Sequence, residues 1–239
     1  SRQDFNIYYD GSGSEKYYMD LIADAMGPYL VASGISFARS GDDMTLNQVI
    51  ADSNSGDYRL HLALHSNASG VGNVGGQTGT DVYYYTTSAR GREAAEIIAS
   101  NFRDIYPNPE KVRTVPNSTF AELRRVSAPS VLVEIAYHDN QSDAEWIKNN
   151  IDLIARTLAL SVAEFLGVPF IEPSGFREGV VTTGGGRLNI RTGPSLDSTV
   201  IGQIPNGTRV TITGKEGDWY TVSHNGLNGY VYGQYITIE

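Results

Sequence analysis

The chain has 239 residues, of which 40% are hydrophobic, and its 27 acidic residues outnumber its 18 basic ones to give a formal net charge of -9. This length and apolar content predict one large domain or two unequal ones with packed cores. The acidic balance argues against nucleic acid as a partner, since that partner needs a basic surface.

The sequence contains no cysteine. This excludes disulfides, thiolate nucleophiles and Cys-ligated zinc, and leaves His, Asp and Glu as the strong metal ligands. No apolar run approaches the roughly 20 residues that span a membrane, and residues 1–20 show no signal-peptide hydrophobic core. We therefore expect neither a membrane span nor an export signal within this sequence.

The first two thirds of the chain alternate strand-like runs with helical periodicity. Strands are predicted at 5–9, 35–39, 58–67, 80–87 and 129–137. One helix is predicted after Glu15, with a kink or break at Gly27-Pro28. Further helices are predicted at 45–54, from an N-cap at Ser88 to Ile105, and, as one or two helices, over 142–166. This alternation is typical of a three-layer α/β domain with a mainly parallel sheet, which we assign to residues 1–166.

The composition changes at residues 167–178, where Pro, Gly and Ser replace periodicity and indicate a linker. Residues 179–239 alternate short period-two strands with Gly, Asn and Asp turns, as a small all-β barrel does. The segments "LNIRTGPS" (188–195), "VIGQIPNGTRVTI" (200–212), "GDWYTV" (217–222) and "NGYVYGQYI" (228–236) resemble a bacterial SH3 domain. The resemblance implies a module that binds the cell wall, and a general protein-binding barrel is the alternative.

Three stretches of the first domain carry residues suited to catalysis. Glu15 lies in "SGSEKYY", His65 in "LALHSNAS" and Glu134 in "VLVEIAYHDN". Each lies at a predicted strand end or in the turn beyond it, and the carboxyl ends of parallel strands converge on one crevice. Two carboxylates and an imidazole suit a divalent cation, of which zinc is the favoured one. A zinc-bound water with a carboxylate base nearby is the chemistry of amide hydrolysis.

Residues 1–166 resemble the zinc-dependent N-acetylmuramoyl-L-alanine amidases of the amidase-3 type, which cut the bond between N-acetylmuramic acid and L-Ala of the peptidoglycan stem peptide. The resemblance rests on Asp10, Glu15, "LALHSNA" and "LVEIAYHDN", which occur in the family's order. It implies that Glu15 and His65 are zinc ligands and that Glu134 is the general base. It also implies a secreted or cell-wall-associated hydrolase, an autolysin in character, that acts on peptidoglycan as a monomer.

The sequence departs from that family at the first turn, because "DGSGS" (10–14) has no His where the family supplies its first ligand. His138, four residues after Glu134, is a possible substitute ligand or pocket residue, and Asp10 or a water is another. His61 is expected to pack in the sheet layer, since four strand residues separate it from His65 by roughly 13 Å.

Structural alternatives exist for each of these residues. Glu15 could serve only the helix dipole, His65 could be a hydrogen-bonded structural residue, and His138 could belong to a surface loop. The buried position expected for Glu134 requires a cation, a proton or hydrogen-bond donors nearby. The Gly-rich stretch 67–79 lacks a Gly-Lys-Ser/Thr ending and is interpreted as a loop bordering the crevice, not a nucleotide site.

Two further functions are compatible with the same residues. The missing His allows a non-catalytic wall-binding protein with a degenerate amidase domain. Alternatively, Glu15 and Glu134 could be the acid and base of a glycoside hydrolase, whose carboxyl groups lie about 5 to 9 Å apart. The imidazole of His65 argues against the glycoside hydrolase, because sugar hydrolysis does not need it.

Overall fold

A computed structural model describes residues 6–41, 43–173, 177–224 and 227–238 of the chain. The chain divides into two compact units, one of Ser1–Met26 with Phe37–Val168 and the other of Gly27–Ser36 with Pro169–Glu239. No sequence pattern indicates the grouping of Gly27–Ser36 with the C-terminal residues. The boundaries at 166 and 178 stay a prediction.

The first part of the chain forms six helices and four strands among its described residues. They are α1 (Glu15–Ala32), α2 (Leu46–Ser55), β1 (His61–Asn67), β2 (Thr80–Tyr85), α3 (Ala89–Arg103), β3 (Val112–Asn117), α4 (Ala121–Arg125), β4 (Ser130–Tyr137), α5 (Gln141–Asn149) and α6 (Ile151–Leu166). The strands pair in the order β1-β4-β2-β3. β1 with β4 and β2 with β3 are parallel, whereas β2 runs antiparallel to β4. The predicted α/β class with a mainly parallel sheet is confirmed.

Most of the predicted elements of this unit are present. Ser88 caps α3 by accepting the Gly91 N–H at 3.0 Å, and residues 142–166 form two helices, α5 and α6. A kink or a break is predicted at Gly27-Pro28, and of these the break is wrong, because α1 continues through Pro28 to Ala32.

Two predicted strands are wrong. Phe5 lies outside the described residues, and the rest of the 5–9 segment forms only an isolated bridge between Ile7 and Ser14. Its backbone is instead satisfied by the turn and by the residue after β4, since the Tyr8 N–H donates to the Gly13 carbonyl and the Tyr9 N–H to the His138 carbonyl, each at 3.0 Å. Residues 35–39 are not in a strand either. There Arg39 pairs with Asp20 and Asp24 of α1, which holds the segment against the helix instead of in the sheet.

Helices lie against the sheet and complete its core. α3 contacts β2, β3 and β4, and α6 packs against α3. Val131, Val133 and Ile135, at alternate positions of β4, are fully buried. The residues between these point to the opposite face of the sheet, where Leu132 of β4 packs with Ala63 of β1 and with Leu123 of α4. The face that carries Leu132 also carries the charged residues described below.

The second part of the chain is rich in short antiparallel strands. Its strands are β5 (Arg177–Val181), β6 (Arg187–Arg191), β7 (Val200–Pro205), β8 (Arg209–Glu216), β9 (Trp219–His224), β10 (Leu227–Tyr232) and β11 (Ile236–Ile238). They form a seven-stranded sheet in the order β11-β5-β8-β9-β10-β6-β7. Apolar side chains fill its interior: Val181, Leu188, Ile190, Ile204, Val210, Ile212, Val222, Val231 and Ile236. The predicted small all-β, SH3-like fold is confirmed.

None of the helices in the described ranges is long and apolar enough to cross a membrane.

Candidate active site

Four ionisable side chains form a row across the sheet of the first unit. The parallel pairing of β1 with β4 sets His65 beside Glu134. The antiparallel pairing of β4 with β2 sets Glu134 beside Asp81, and β3 sets Arg113 beside Asp81. Paired residues of neighbouring strands point to the same face of a sheet. The row therefore runs His65, Glu134, Asp81 and Arg113 on one face.

Glu15, the first residue of α1, reaches the His65 end of this row. Its Oε1 lies 2.9 Å from His65 Nδ1 and accepts the Ser66 backbone N–H at 3.0 Å. Burial alone would raise the pKa of Glu15, but the hydrogen bonds from His65 and Ser66 lower it overall. Burial alone would lower the pKa of His65, but the hydrogen bond and charge of Glu15 raise it. The two groups therefore favour a charged pair in the absence of a metal.

Glu134 differs from Glu15 in having no partner for one of its oxygens. Among the described residues, its Oε2 is buried and makes no hydrogen bond. Burial raises the pKa of Glu134 to about 7, helped by the charges of Glu15 and Asp81 and opposed by that of His65. A carboxyl group with this pKa exchanges a proton readily near neutral pH, which is what a general acid or base requires.

His138 forms part of the wall beside Glu15. Its side chain is buried, and its Nδ1 lies 2.9 Å from both the carbonyl oxygen and the Oγ of Ser66. Because a carbonyl only accepts hydrogen bonds, this contact requires the proton on Nδ1. The ring stacks on Tyr8 at 5.5 Å between centroids. His138 is a pocket residue and not part of an exposed loop.

These residues surround a cavity of about 370 Å³. It is lined by Asn6, Glu15, His65, Ser66, Asn67, Ala68, Gly70, Val71, Glu134 and His138. The loop after β1, predicted to border the crevice, contributes Gly70 and Val71 to this lining. Asp139 holds that loop by accepting the Ser69 N–H at 2.9 Å and the Gly75 N–H at 3.0 Å.

Two other sequence candidates lie apart from this cluster. Asp10 is not among the residues that line the cavity. Its carboxylate accepts hydrogen bonds from Lys148 Nζ at 2.5 Å and from the Ser12 N–H at 3.0 Å, which lower its pKa. Asp10 as a substitute ligand stays a prediction, and in this structure Lys148 of α5 engages its carboxylate. His61 is bound by Glu122 at 2.8 Å and Ser53 at 3.0 Å, as a structural residue of the sheet.

Comparison with known proteins agrees with this fold. Residues 4–164 match the N-acetylmuramoyl-L-alanine amidase family, and residues 186–237 match the bacterial SH3 domain family. The chain belongs to the N-acetylmuramoyl-L-alanine amidase family. This membership covers more than half of the chain, so the predicted enzyme class, a peptidoglycan hydrolase of the amidase type, is confirmed at the level of the family.

Solved amidases share the fold at low sequence identity. The amidase AmiC2 of Nostoc punctiforme is 21% identical with a TM-score of 0.59, over 69% of this chain and 91% of that one. An N-acetylmuramoyl-L-alanine amidase from Clostridium difficile 630 is 21% identical with a TM-score of 0.60, over 70% of this chain and 91% of that one.

Curated relatives match over a short segment. Bacteriocin BCN5 of Clostridium perfringens is 43% identical over 51 residues, which are 21% of this chain and 6% of that protein. The probable endopeptidase p60 of Listeria monocytogenes is 38% identical over 52 residues, 21% of this chain and 11% of that protein. The matched segments thus span about a tenth or less of these relatives.

Family membership raises the question of whether the residues present fit zinc. The donor types fit, because carboxylates and imidazoles bind zinc in proteins, and Glu15 and His65 meet at 2.9 Å beside the cavity. The number of donors is smaller than in a three-ligand catalytic site. Over the ranges that the structure describes, no group of three or more His, Cys, Asp or Glu side chains could hold a metal ion. Glu15 and His65 as zinc ligands therefore stay a prediction.

Sequence reasoning misses half of the row. It does not single out Asp81 or Arg113, although Asp81 is the one charge inside the apolar run "TDVYYY". A carboxylate in a strand that must be partly buried needs a partner. That signal is available in the sequence, but the identity of the partner depends on β3, which is not among the predicted strands.

Proposed function

We propose that the chain cleaves the amide bond between N-acetylmuramic acid and the L-Ala of the stem peptide, with Glu134 as the general base. The observation that carries this proposal is the buried, unpartnered Oε2 of Glu134 beside His65 and Glu15 at the wall of one cavity, among the residues that the structure describes. An acceptor left without a donor in a buried position costs free energy unless a ligand satisfies it. A water held for attack on a carbonyl is such a ligand.

Glu134 then has two successive tasks. It accepts a proton from the attacking water, and it passes that proton to the nitrogen of the departing L-Ala amine. Its pKa of about 7 suits both directions of transfer near neutral pH. In the metal-free chain, the hydrogen bond to Glu15 fixes the orientation of the His65 ring.

Zinc is the metal that this donor set would take, held by Glu15 and His65. When bound it would supply a Lewis acid that lowers the pKa of a water to about 7. Two protein ligands give a weaker site than three, so we expect metal occupancy to depend on the zinc concentration of the medium. The Ser66 N–H, which donates to Glu15 Oε1 at 3.0 Å, keeps that carboxylate ionised and in place.

The SH3-like unit is proposed to tether the enzyme to its substrate. Its match to the bacterial SH3 domain family supports binding to peptidoglycan peptides. A tether raises the local substrate concentration. With this module, the protein acts outside the cell or in association with the wall, as a monomer whose partner is peptidoglycan.

The activity is tested by digesting purified peptidoglycan with the unmutated chain, with Glu134→Gln, and with Glu93→Gln as a matched control. Glu93 is an exposed residue of α3 paired with Arg90, so its substitution should leave activity unchanged. We expect added zinc to promote the release of L-Ala amino termini by the unmutated chain and the control, but not by Glu134→Gln. New reducing ends without new amines would contradict amide hydrolysis, and so would a fully active Glu134→Gln variant.

A non-catalytic wall-binding protein is the second candidate, and the two-ligand site favours it. Metal analysis and peptidoglycan pull-down separate the two functions. Retained wall binding, with neither bound zinc nor amine release at any zinc concentration, would support the binding protein.

A further inference from the structure

The row of charges continues beyond Glu134 to an arginine that is both anchored and exposed. Arg113 donates to Asp81 from Nε at 2.8 Å and from Nη2 at 3.0 Å. The Asp81 side chain is 4% exposed, whereas that of Arg113 is 58% exposed. A bidentate pair fixes the plane of a guanidinium. Arg113 is thus a cation held in a defined orientation at the surface.

The pairing of Arg113 with Asp81 leaves N–H donors of the guanidinium available. A guanidinium carries five N–H donors, and within the described residues two of them go to Asp81. Each Asp81 oxygen accepts one of these two hydrogen bonds. A second carboxylate arriving from solvent would therefore meet the remaining N–H groups of Arg113.

Two tyrosines belong to the strands of this row. Tyr83 is two residues after Asp81 on β2 and therefore shares its face, and Tyr137 ends β4, the strand that carries Glu134. Burial raises the pKa of Tyr83 to about 12, and that of Tyr137 is raised as well. Both hydroxyls keep their protons at neutral pH. The Tyr137 hydroxyl donates to Gln77 Oε1 at 3.3 Å, so we count only the Tyr83 hydroxyl as a donor that this surface offers to a ligand.

The spacing suits a peptide that starts at the cleaved bond. Glu134 and Arg113 are two strands apart, which is about 10 Å at a strand spacing of roughly 4.8 Å. An extended peptide covers about 3.3 to 3.6 Å per residue. A group near Arg113 would therefore belong to roughly the second or third residue of the released peptide.

We propose that Arg113, held by Asp81, is a subsite for a carboxylate of the stem peptide and selects acidic peptides on the leaving side of the cleaved amide. The proposal rests on the amidase function proposed above and specifies its substrate further. The surroundings are acidic, with Glu15, Glu134 and Asp81 nearby and a net charge of -9 on the chain. Without an oriented cation, an acidic peptide would be repelled from this face.

The test compares two soluble muramoyl peptides that differ only in whether their carboxylates are free or amidated. Both are digested in added zinc by the unmutated chain, Arg113→Gln, Arg113→Lys and the control Arg92→Gln. Arg92 is an exposed residue of α3 paired with Glu96. We expect Arg113→Gln to raise KM for the free acid by about tenfold or more, the size of a lost charge-assisted hydrogen bond. KM for the amidated peptide should stay within about twofold.

Arg113→Gln leaves Asp81 as an unpaired buried charge, which can unfold a protein. The double variant Asp81→Asn/Arg113→Gln removes both charges and keeps the site neutral, and it should show the same loss of preference for the free acid. Arg113→Lys retains the charge without the planar fork, so it should keep part of that preference.

Three results overturn the inference or its basis. Equal impairment on both peptides would make Arg113 only a structural partner of Asp81. An unmutated chain that prefers the amidated peptide would exclude a carboxylate subsite. Failure of the unmutated chain to cleave either peptide overturns the proposed activity instead. In that case equilibrium binding of the two peptides tests the subsite alone, and equal affinities would exclude it.

Discussion

Glu134→Gln is expected to remove activity and, at the same time, to stabilise the first unit of the metal-free protein at neutral pH. The reason is that the Glu134 carboxyl is buried with one oxygen lacking a hydrogen bond to any described residue. Ionising this carboxyl costs free energy in the folded state but not in the unfolded state. A neutral amide of nearly the same shape avoids this cost.

The sign and the size of the effect follow from the pKa. Burial raises the pKa of Glu134 from 4.5 to about 7 in the folded chain. Below pH 4.5 the group is protonated in both states, so it costs nothing there. Stability then falls as pH rises from 4.5 to 7 and levels off above it. At about 1.4 kcal/mol per pKa unit, the advantage of Gln over Glu grows by about 3 kcal/mol across this interval.

The assay is denaturant unfolding in a chelating buffer at several pH values between 4.5 and 8.5. Because the chain has two units, one signal must report on the first unit alone. A Trp219→Phe background leaves Trp146 of α5 as the only tryptophan, since the sequence contains two. Glu93→Gln in the same background controls for the loss of a surface charge. If Glu134→Gln changed stability by the same amount at every pH, the reasoning would be refuted.

Three further predictions concern the ligands and the polar supports of the site. His65→Gln should lower zinc affinity by at least about tenfold in calorimetric titration, because it removes one of the two proposed protein ligands. Unchanged affinity would exclude His65 as a ligand. Glu122→Gln should lower the free energy of unfolding least in acid. The pKa of Glu122 is lowered, because the hydrogen bond and charge of His61 outweigh burial. The stabilisation that this carboxylate gives the fold is therefore present above pH 4.5 and is lost as pH falls through the lowered pKa. Urea unfolding of both proteins at pH 3.5 and 7 checks this. Asp143→Asn should cost about 2 to 4 kcal/mol in urea unfolding, because the carboxylate accepts the Gly79 and Tyr137 N–H groups and the Tyr106 hydroxyl.

The parts of the fold that could be predicted are those whose periodicity and burial agree. β4 is an almost unbroken apolar run, and α6 has a continuous apolar stripe, so local pattern and tertiary environment favour the same element. The 5–9 segment also has strand-like residues, but over its described residues it forms an isolated bridge to Ser14 and no strand. Propensity alone does not supply the backbone partners that a strand needs. β3 contains Pro116, which is tolerated because β3 is an edge strand of this sheet.

Within the row of four residues, the sequence predicts only the two that lie on neighbouring parallel strands. His65 and Glu134 follow from two parallel strands whose carboxyl ends adjoin. Asp81 and Arg113 join the row because β2 is inserted antiparallel between β4 and β3. Strand order and direction are set by tertiary packing, and one sequence does not reveal them. The same limit explains why the sequence does not reveal the partner of Asp10, since Lys148 lies 138 residues away along the chain.

The row depends on the register between β2 and β4, because a slip of one residue would send Asp81 to the opposite face and bring Val82 beside Glu134. Two contacts of buried groups fix that register at the start of β2. Thr80 Oγ1 donates to the Ile135 carbonyl at 2.7 Å, and Asp143 accepts N–H groups from both Gly79 and Tyr137. These contacts set which residue faces Glu134. Asp143 lies outside the cavity lining, yet it keeps the proposed base and the proposed carboxylate subsite on one face.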